Sequence, residues 1–322
     1  MEESSMKRPV SSKVRSAACL IWPIAAALVT TSVPTSAETI YGLTQQQTLI
    51  SFDSATPGTI TSSVAITGLN LFDSLVEIDF RPATGQLYAL SDRGVGNSLY
   101  VINTTTGVAT LVGAVSPIPA TFSGTGGVGF DFNPVVDRIR MVDPNDSNVR
   151  VNPDTAGTVI DTTLSYQAGD PFFGTTPSIV GLAYSNNFSG AASTSLYDID
   201  YALDTLALQV NPNGGLLSTV GPLGFNAGPG TAFDISGVTG VAYLADASPF
   251  PGITGFYTLN LSTGAATLIG GIGGGVSVRS IAAPVGQAIG VPEPSTWAMM
   301  LLGLVASGAL IRRTRKTAPK CV

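Results

Sequence analysis

The sequence contains five copies of one short segment, spaced about 50 residues apart over most of the chain. The two clearest copies are Val76-Glu-Ile-Asp-Phe-Arg-Pro82 and Val128-Gly-Phe-Asp-Phe-Asn-Pro134. Weaker copies are Val180-Gly-Leu-Ala-Tyr184, Thr231-Ala-Phe-Asp-Ile235 and Val278-Arg-Ser-Ile-Ala-Ala-Pro284. Because the copies are rich in β-branched and aromatic residues and lie between turn residues, each is predicted to be a β-strand. A chain built this way is expected to fold as an array of similar units.

A second repeated motif is interleaved with the first. The fourteen residues from Tyr100 to Gly113 match those from Tyr257 to Gly270 at eight positions. Both segments are typical of a hairpin, in which an asparagine opens the turn and a glycine adopts a positive φ. Related turns begin at Asp53, Asn152 and Asn211. The chain therefore has one such hairpin for each of its five repeated strands.

Units of about 50 residues with four short strands each are typical of propeller blades. The composition agrees, with 37 glycines, 21 prolines and only 11% charged residues. Each blade buries both faces of its sheet, so its inner strand need not alternate strongly between apolar and polar residues. We therefore predict an all-β fold, a propeller of five four-stranded blades over residues 38–284. A β-sandwich is the main alternative, but its strands would not repeat so regularly.

The two ends of this domain are predicted to pair with each other. Counted from Glu38, the first unit supplies only three strands, around 40–43, 48–52 and 60–66. The missing inner strand is expected to be 278–284, because that segment is the fifth copy of the repeat. Such pairing would close the ring and leave no free sheet edge.

The N-terminus has the organisation of a secretory signal peptide. Four basic residues precede an apolar stretch over 17–29, and the small residues Thr35-Ser36-Ala37 follow just before Glu38. The apolar stretch is too short to span a bilayer and contains Pro23. We expect residues 1–37 to be removed by signal peptidase and the chain to be exported.

The C-terminus combines a short motif, an apolar segment and a basic end. Pro292, Glu293 and Pro294 precede a short apolar segment over 297–311, which is expected to be a transmembrane helix. A basic cluster follows and should remain cytoplasmic, together with the tail 317–322; its residues are Arg312, Arg313, Arg315 and Lys316. This order over 291–316, after a linker at 285–290, resembles the PEP-CTERM sorting signal. The resemblance implies transient membrane anchoring and processing by an exosortase, whereas a permanent single-pass anchor is the alternative.

The charge of the central domain excludes one class of partner. Residues 38–290 contain six arginines, no lysine and 18 acidic residues, a net charge of −12. Phosphate backbones are bound by clustered basic residues, so nucleic-acid binding is not expected. The sequence also has no histidine, which removes Ser-His-Asp and Cys-His catalysis. An enzymatic function is therefore not favoured.

Three aspartates occupy equivalent positions in three of the repeated strands: Asp79, Asp131 and Asp234. Because the inner strands of a propeller line its central channel, these carboxylates are candidate ligands for a cation such as Ca²⁺. The alternative, favoured because the other two copies carry alanines, is hydrogen bonding to the backbone between blades. Arg138 and Arg140 alternate on one predicted strand and are candidates for binding a carboxylate or a sulfate, although an ordinary ion pair is the simpler explanation.

Several segments together resemble a known family. They are Ile40-Tyr-Gly-Leu-Thr, Phe52-Asp-Ser, Ile66-Thr-Gly-Leu, Ile78-Asp-Phe-Arg-Pro-Ala-Thr-Gly-Gln-Leu-Tyr88, Asp131-Phe-Asn-Pro-Val-Val-Asp-Arg-Ile-Arg140 and Asn152-Pro-Asp-Thr. This pattern, which spans nearly all of residues 38–284, is similar to the family called domain of unknown function 4394. The resemblance implies an exported, propeller-like domain and supplies no catalytic residues.

These observations favour an exported surface or extracellular-matrix protein whose propeller binds a polysaccharide or another envelope component. The alternative is a metal-dependent propeller hydrolase or lyase that acts on an extracellular sugar or lactone, with the three aspartates as metal ligands. A metal titration separates the two hypotheses.

Overall fold

The computed structural model describes residues 37–93, 96–120, 122, 127–247 and 252–286. These residues form five sheets, which we call blades 1 to 5. Blade 1 begins with β1 (Thr39–Thr44), β2 (Thr48–Asp53) and β3 (Ile60–Ala65). Blade 2 contains β4 (Ser74–Phe80), β5 (Leu87–Asp92), β6 (Asn97–Ile102) and β7 (Ala109–Val115). Blade 3 contains β8 (Gly129–Asn133), β9 (Arg138–Val142), β10 (Asn148–Val151) and β11 (Thr158–Ile160).

The second half of the chain forms two further blades and returns to the first. Blade 4 contains β12 (Ser165–Tyr166), β13 (Ile179–Tyr184), β14 (Leu196–Asp200), β15 (Thr205–Asn211) and β16 (Leu216–Pro222). Blade 5 contains β17 (Ala232–Ile235), β18 (Ala242–Asp246), β19 (Gly255–Leu259) and β20 (Ala266–Gly271). The last strand, β21 (Val278–Ala282), joins blade 1. Two single 3-10 turns, Pro212–Gly214 and Ile272–Gly274, follow β15 and β20.

The predicted ring closure is confirmed. β21 pairs antiparallel with β1, with Gly42 opposite Ile281 and Leu43 opposite Ser280. The five inner strands then contact one another in a closed cycle, in the order β21, β4, β8, β13 and β17. The fold is thus an all-β propeller of five blades, and each copy of the repeated segment forms an inner strand.

Blade 4 differs from the prediction of four strands because it has a fifth. β12 pairs in parallel with β16, the outer strand of that blade, through Ser165 and Tyr166. The backbone amides of Ser165 and of Gln167, which follows the strand, donate hydrogen bonds to the carbonyl oxygens of Gly215 and Leu217, which would otherwise lie at an open sheet edge. A two-residue strand has no periodicity of its own, so the sequence pattern gives no indication of it.

The outer hairpins use the turn chemistry that the second motif predicts. The side chain of Asn103 accepts hydrogen bonds from the amides of Thr105 and Thr106, and Gly107 closes the turn with a φ of 73°. Asn260 and Gly264 form the same turn in blade 5, with a φ of 80° at the glycine. These turns fix the register of the outer two strands of each blade.

The apolar core is divided into five clusters, and each lies between two neighbouring blades. In one example, Ile78 and Phe80 of blade 2 pack with Leu43 and Leu49 of blade 1. Full burial of a side chain of this size contributes about 1.5–3 kcal/mol. The apolar packing therefore binds each blade to its neighbours around the ring.

The residue that follows the predicted signal peptide is bound by blades 1 and 5. Glu38 is buried, and its carboxylate accepts hydrogen bonds from Ser236, Thr239 and Tyr243 of blade 5. Its backbone amide donates to the Ser54 hydroxyl. The first residue of the predicted mature chain is thus fixed between blades 1 and 5.

The predicted membrane segments lie outside the described residues. This applies to the apolar stretch of the signal peptide and to the helix predicted over 297–311. Within the part of the chain that the structure describes, no helix has the length and hydropathy needed to cross a bilayer.

Candidate functional site

The three aspartates predicted as metal ligands lie at equivalent positions on the inner strands of blades 2, 3 and 5. Asp79 lies on β4, Asp131 on β8 and Asp234 on β17, and each is at most 2% exposed. The corresponding residues of the other two inner strands are Ala183 and Ala282, which are also buried. Small side chains at those two positions leave the centre of the ring to the carboxylates.

Each aspartate accepts a hydrogen bond from a backbone amide of the next blade. Asp79 accepts from the amide of Phe132 at 2.8 Å and Asp131 from that of Tyr184 at 3.2 Å. Asp234 accepts from the amide of Ala283 at 2.6 Å, which joins blade 5 to the closing strand. The favoured alternative, hydrogen bonding between blades, is therefore what the structure shows for all three side chains.

The same three carboxylates also converge on one another. One oxygen of each lies within 4.8 Å of the oxygens offered by the other two. Oδ1 of Asp131 receives no hydrogen bond from any described residue. The hydrogen bonds between blades do not require three carboxylate oxygens, from three different blades, to lie so close together.

Burial and mutual repulsion oppose ionisation of this cluster. Burial raises the pKa of Asp79 well above its usual range, and the Asp234 charge raises it further. Burial also raises the pKa of Asp131, together with the charges of Asp79 and Asp234. For Asp234, burial raises the pKa to about 7. At neutral pH the three carboxyls can therefore either retain protons or share a bound cation, for which carboxylate oxygens are suitable ligands. Calcium binding stays a prediction.

A second cluster of polar residues lies between blades 3 and 4, around a cavity of about 420 Å³. Arg138 and Arg140 of β9 line it together with Arg150 of β10, and Asn211, Pro212 and Asn213 of blade 4 form the opposite wall. We call this cavity the arginine cleft. It contains half of the arginines of the central domain.

Arg140 holds the two walls of the arginine cleft together. Although it is only 2% exposed, its guanidinium donates hydrogen bonds to the Tyr184 hydroxyl at 3.0 Å and to the Asn213 side chain at 2.8 Å. It also donates to Oδ2 of Asp161 at 3.2 Å, and Arg150 donates to the same oxygen at 2.7 Å. One buried carboxylate is thus shared by two guanidinium groups.

The simple ion pair expected near Arg138 and Arg140 is not formed with the adjacent Asp137. Instead, Asp137 binds Arg81 of blade 2 through both oxygens, at 2.8 and 2.5 Å. Arg81 also donates to Asp154 at 2.7 Å. Arg138 donates to the backbone carbonyl of Asp137 and, among the described residues, forms no ion pair. Sequence patterns gave no indication of Arg150 or Asp161 as site residues.

Two groups of predicted site residues lie outside the described part of the chain. They are the sorting-motif residues Pro292, Glu293 and Pro294 and the basic residues Arg312, Arg313, Arg315 and Lys316. A model of the PEP-CTERM protein-sorting motif matches residues 290–316, which contain both groups.

Comparison with solved structures finds matches of low identity and low TM-score. A nidogen/laminin complex matches with 13% identity and a TM-score of 0.44, covering 79% of this chain and 100% of that one. A structural genomics protein of unknown function from Bacteroides thetaiotaomicron matches with 14% identity and a TM-score of 0.43, covering 72% and 57%. TolB from Acinetobacter baumannii matches with 12% identity and a TM-score of 0.41, covering 77% and 66%.

Sequence families give a more specific result. No curated protein matches the chain. The model of the family described as domain of unknown function (DUF4394) matches residues 48–282, from the second strand of blade 1 to the end of the closing strand. The chain therefore belongs to the DUF4394 family and carries a PEP-CTERM sorting motif C-terminal to its propeller in the sequence.

Proposed function

We propose that this chain is an exported surface or extracellular-matrix protein whose propeller binds a polysaccharide of the cell envelope. The sorting motif, which implies export and sorting to the cell surface, supports the location. In this proposal signal peptidase removes residues 1–37, the tail anchors the chain transiently in the membrane, and an exosortase removes it near the Pro-Glu-Pro motif.

The arginine cleft is the observation that carries the binding function. Its cavity of about 420 Å³ is comparable to the small-molecule sites of other proteins, and it lies between blades 3 and 4. Its walls offer the guanidinium group of Arg138, the remaining N–H groups of Arg150 and the side-chain amides of Asn211 and Asn213, which can donate to the hydroxyl and ring oxygens of a sugar. Apolar packing on both sides of the cleft supports the strands that carry these donors.

Mass spectrometry of the polysaccharide fraction from producing cells tests the proposal. We expect a protein that begins near Glu38, lacks peptides from 297–311 and co-purifies with extracellular polysaccharide. Enzymatic digestion of that polysaccharide should release it. Tail peptides in the released protein would contradict processing, and recovery of the protein only in polysaccharide-free fractions would contradict binding.

A metal-dependent hydrolase or lyase is the second candidate function, favoured by the three carboxylates at the centre of the ring. A cation held by Asp79, Asp131 and Asp234 would supply a Lewis acid and an activated water. The near-complete burial of all three residues weighs against this candidate, because a sugar or lactone would have to reach the centre of the ring.

Calorimetric titration with Ca²⁺ separates the two candidates. The enzyme hypothesis predicts binding at one site per chain, with loss of the binding in an Asp79→Ala/Asp131→Ala double variant. Asp53→Asn is the control, because it also removes an acidic group but lies in an exposed turn whose equivalents in other blades are asparagines. An absence of stoichiometric binding to the unaltered protein would leave the polysaccharide-binding function as the remaining candidate.

A further inference from the structure

Blade 3 departs from the other four blades at two paired positions of its second and third strands. In four blades the residue opposite the aspartate or alanine of the inner strand is a tyrosine, namely Tyr41, Tyr88, Tyr197 or Tyr243. In blade 3 that residue is Arg140, opposite Asp131. On the third strand Arg150 lies opposite Arg140, at the position that the other blades fill with Ser51, Val101, Leu208 and Thr258. Two arginines therefore replace uncharged residues here.

The two arginines reduce the stability of the sheet, and the propeller fold does not require them. Like charges directly opposite each other on neighbouring strands repel and destabilise a sheet. Asp161 offsets part of the repulsion, since it binds both guanidinium groups. The other four blades show that the same architecture forms without either arginine. Arg140 has a structural role, because it joins blade 3 to blade 4, but the second arginine, Arg150, has no counterpart in the other blades and points to a binding role.

The arginine cleft keeps an excess of positive charge after its internal ion pair is counted. Three arginines line it, and Asp161 neutralises one charge. Asp137 and Asp154, which are close to Arg138, are both bound to Arg81. With Arg81 included, four arginines and three aspartates leave an excess of about one positive charge here, in a domain whose net charge is −12. Because the Debye length is about 8 Å at physiological ionic strength, a ligand inside the cleft experiences these arginines more strongly than distant acidic residues.

We propose that the arginine cleft binds the carboxylate groups of a uronic-acid polysaccharide, which rests on the polysaccharide-binding function proposed above. A guanidinium group binds a carboxylate through two parallel hydrogen bonds. Arg138 and Arg150 also line a neighbouring cavity of about 380 Å³, so a polymer can pass through both cavities across the same two arginines. The negative domain around the cleft disfavours densely charged polymers. A glycan with one carboxylate per disaccharide therefore fits better than one with a sulfate on every sugar.

Affinity measurements with the full-length protein test the proposal, with hyaluronan, dextran sulfate and uncharged dextran as probes. We expect hyaluronan to bind and dextran not to bind.

Val136 lines the cleft and is 55% exposed, so Val136→Glu adds a negative charge without disturbing the core. Val238→Glu is the matched control, because Val238 is 61% exposed in the corresponding turn of blade 5. Losing a charge-assisted interaction should weaken hyaluronan binding about tenfold in Val136→Glu and in Arg138→Ala. Val238→Glu should bind as the unaltered protein does.

The outcomes separate this proposal from the more general one. Equal hyaluronan affinity in Val136→Glu and Val238→Glu would overturn the assignment of the cleft, even if Arg138→Ala failed to fold. Equal affinity for dextran and hyaluronan, or no binding of either, would overturn the uronic-acid assignment. Preferential binding of dextran sulfate would assign a sulfated ligand instead. In each of these cases co-purification with the native polysaccharide would still support the general function.

Discussion

Removal of the closing strand β21 is expected to abolish stable folding of the propeller. Val278 and Ile281 are each 3% exposed in the core between blades 5 and 1, and Ala282 is buried against blade 2. Burial of the valine and isoleucine side chains alone contributes about 1.5–3 kcal/mol each. The hydroxyl of Ser280 also accepts a hydrogen bond from the amide of Ile78, and the amide of Ala283, directly after the strand, donates to Asp234. The total loss should exceed about 5 kcal/mol, which is comparable to the whole stability of a typical domain.

Thermal melts and limited proteolysis of chains 38–275 and 38–290 measure this effect. The shorter chain should show no cooperative transition and should be cleaved rapidly in blade 1, because β1 becomes an unpaired edge. A synthetic peptide of residues 276–290, added in excess, is the control and should restore part of the transition. Equal melting temperatures for the two chains would show that closure by β21 contributes little to stability.

The repeated pattern was sufficient to predict the blades because it reflects local physics. Each inner strand needs β-branched and aromatic residues, and each outer hairpin opens with an asparagine or aspartate, followed in blades 2 to 5 by a residue with positive φ. These requirements recur from blade to blade and therefore appear as a period in the sequence. Closure by β21 followed from the same pattern, since 278–284 is a fifth copy without a hairpin of its own.

The candidate site was only partly predictable, because it depends on contacts between blades. The equivalence of Asp79, Asp131 and Asp234 is visible in the sequence, but their approach to within 4.8 Å depends on how the inner strands pack against one another around the ring. Arg150 and Asp161 were missed because neither belongs to the repeated segment. An alignment of the second strands would have shown Arg140 where the other blades have tyrosine. That arginine is the exception in the repeat, and it lies at the cleft to which we assign ligand binding.

The stability of the propeller is expected to fall as the pH rises from about 4 to about 8 in buffer without divalent cations. Burial raises the pKa of Asp234 to about 7 and that of Asp198, in blade 4, to about 8. Between the ordinary aspartate pKa and these values, the folded protein retains protons that the unfolded chain has released. Folding is therefore favoured at the acidic end of this range, and the advantage disappears as the pH passes the folded-state pKa. At about 1.4 kcal/mol per pKa unit, the raised pKa of Asp234 alone accounts for a fall of about 4 kcal/mol in the free energy of unfolding.

Urea unfolding of the unaltered protein, Asp131→Asn and Asp53→Asn between pH 5 and pH 8 measures this dependence. Asparagine at 131 still accepts the Tyr184 amide but removes one of three like charges, so it should stabilise the protein at pH 8 and flatten the profile. Asp53→Asn should retain the original profile. If the cluster binds calcium, adding Ca²⁺ at 100 times its Kd should restore about 2.7 kcal/mol at pH 8 to the unaltered protein. Asp131→Asn should lose that response. A flat profile for the unaltered protein, or an identical slope in all three proteins, would show that the carboxyls at the centre of the ring are not its cause.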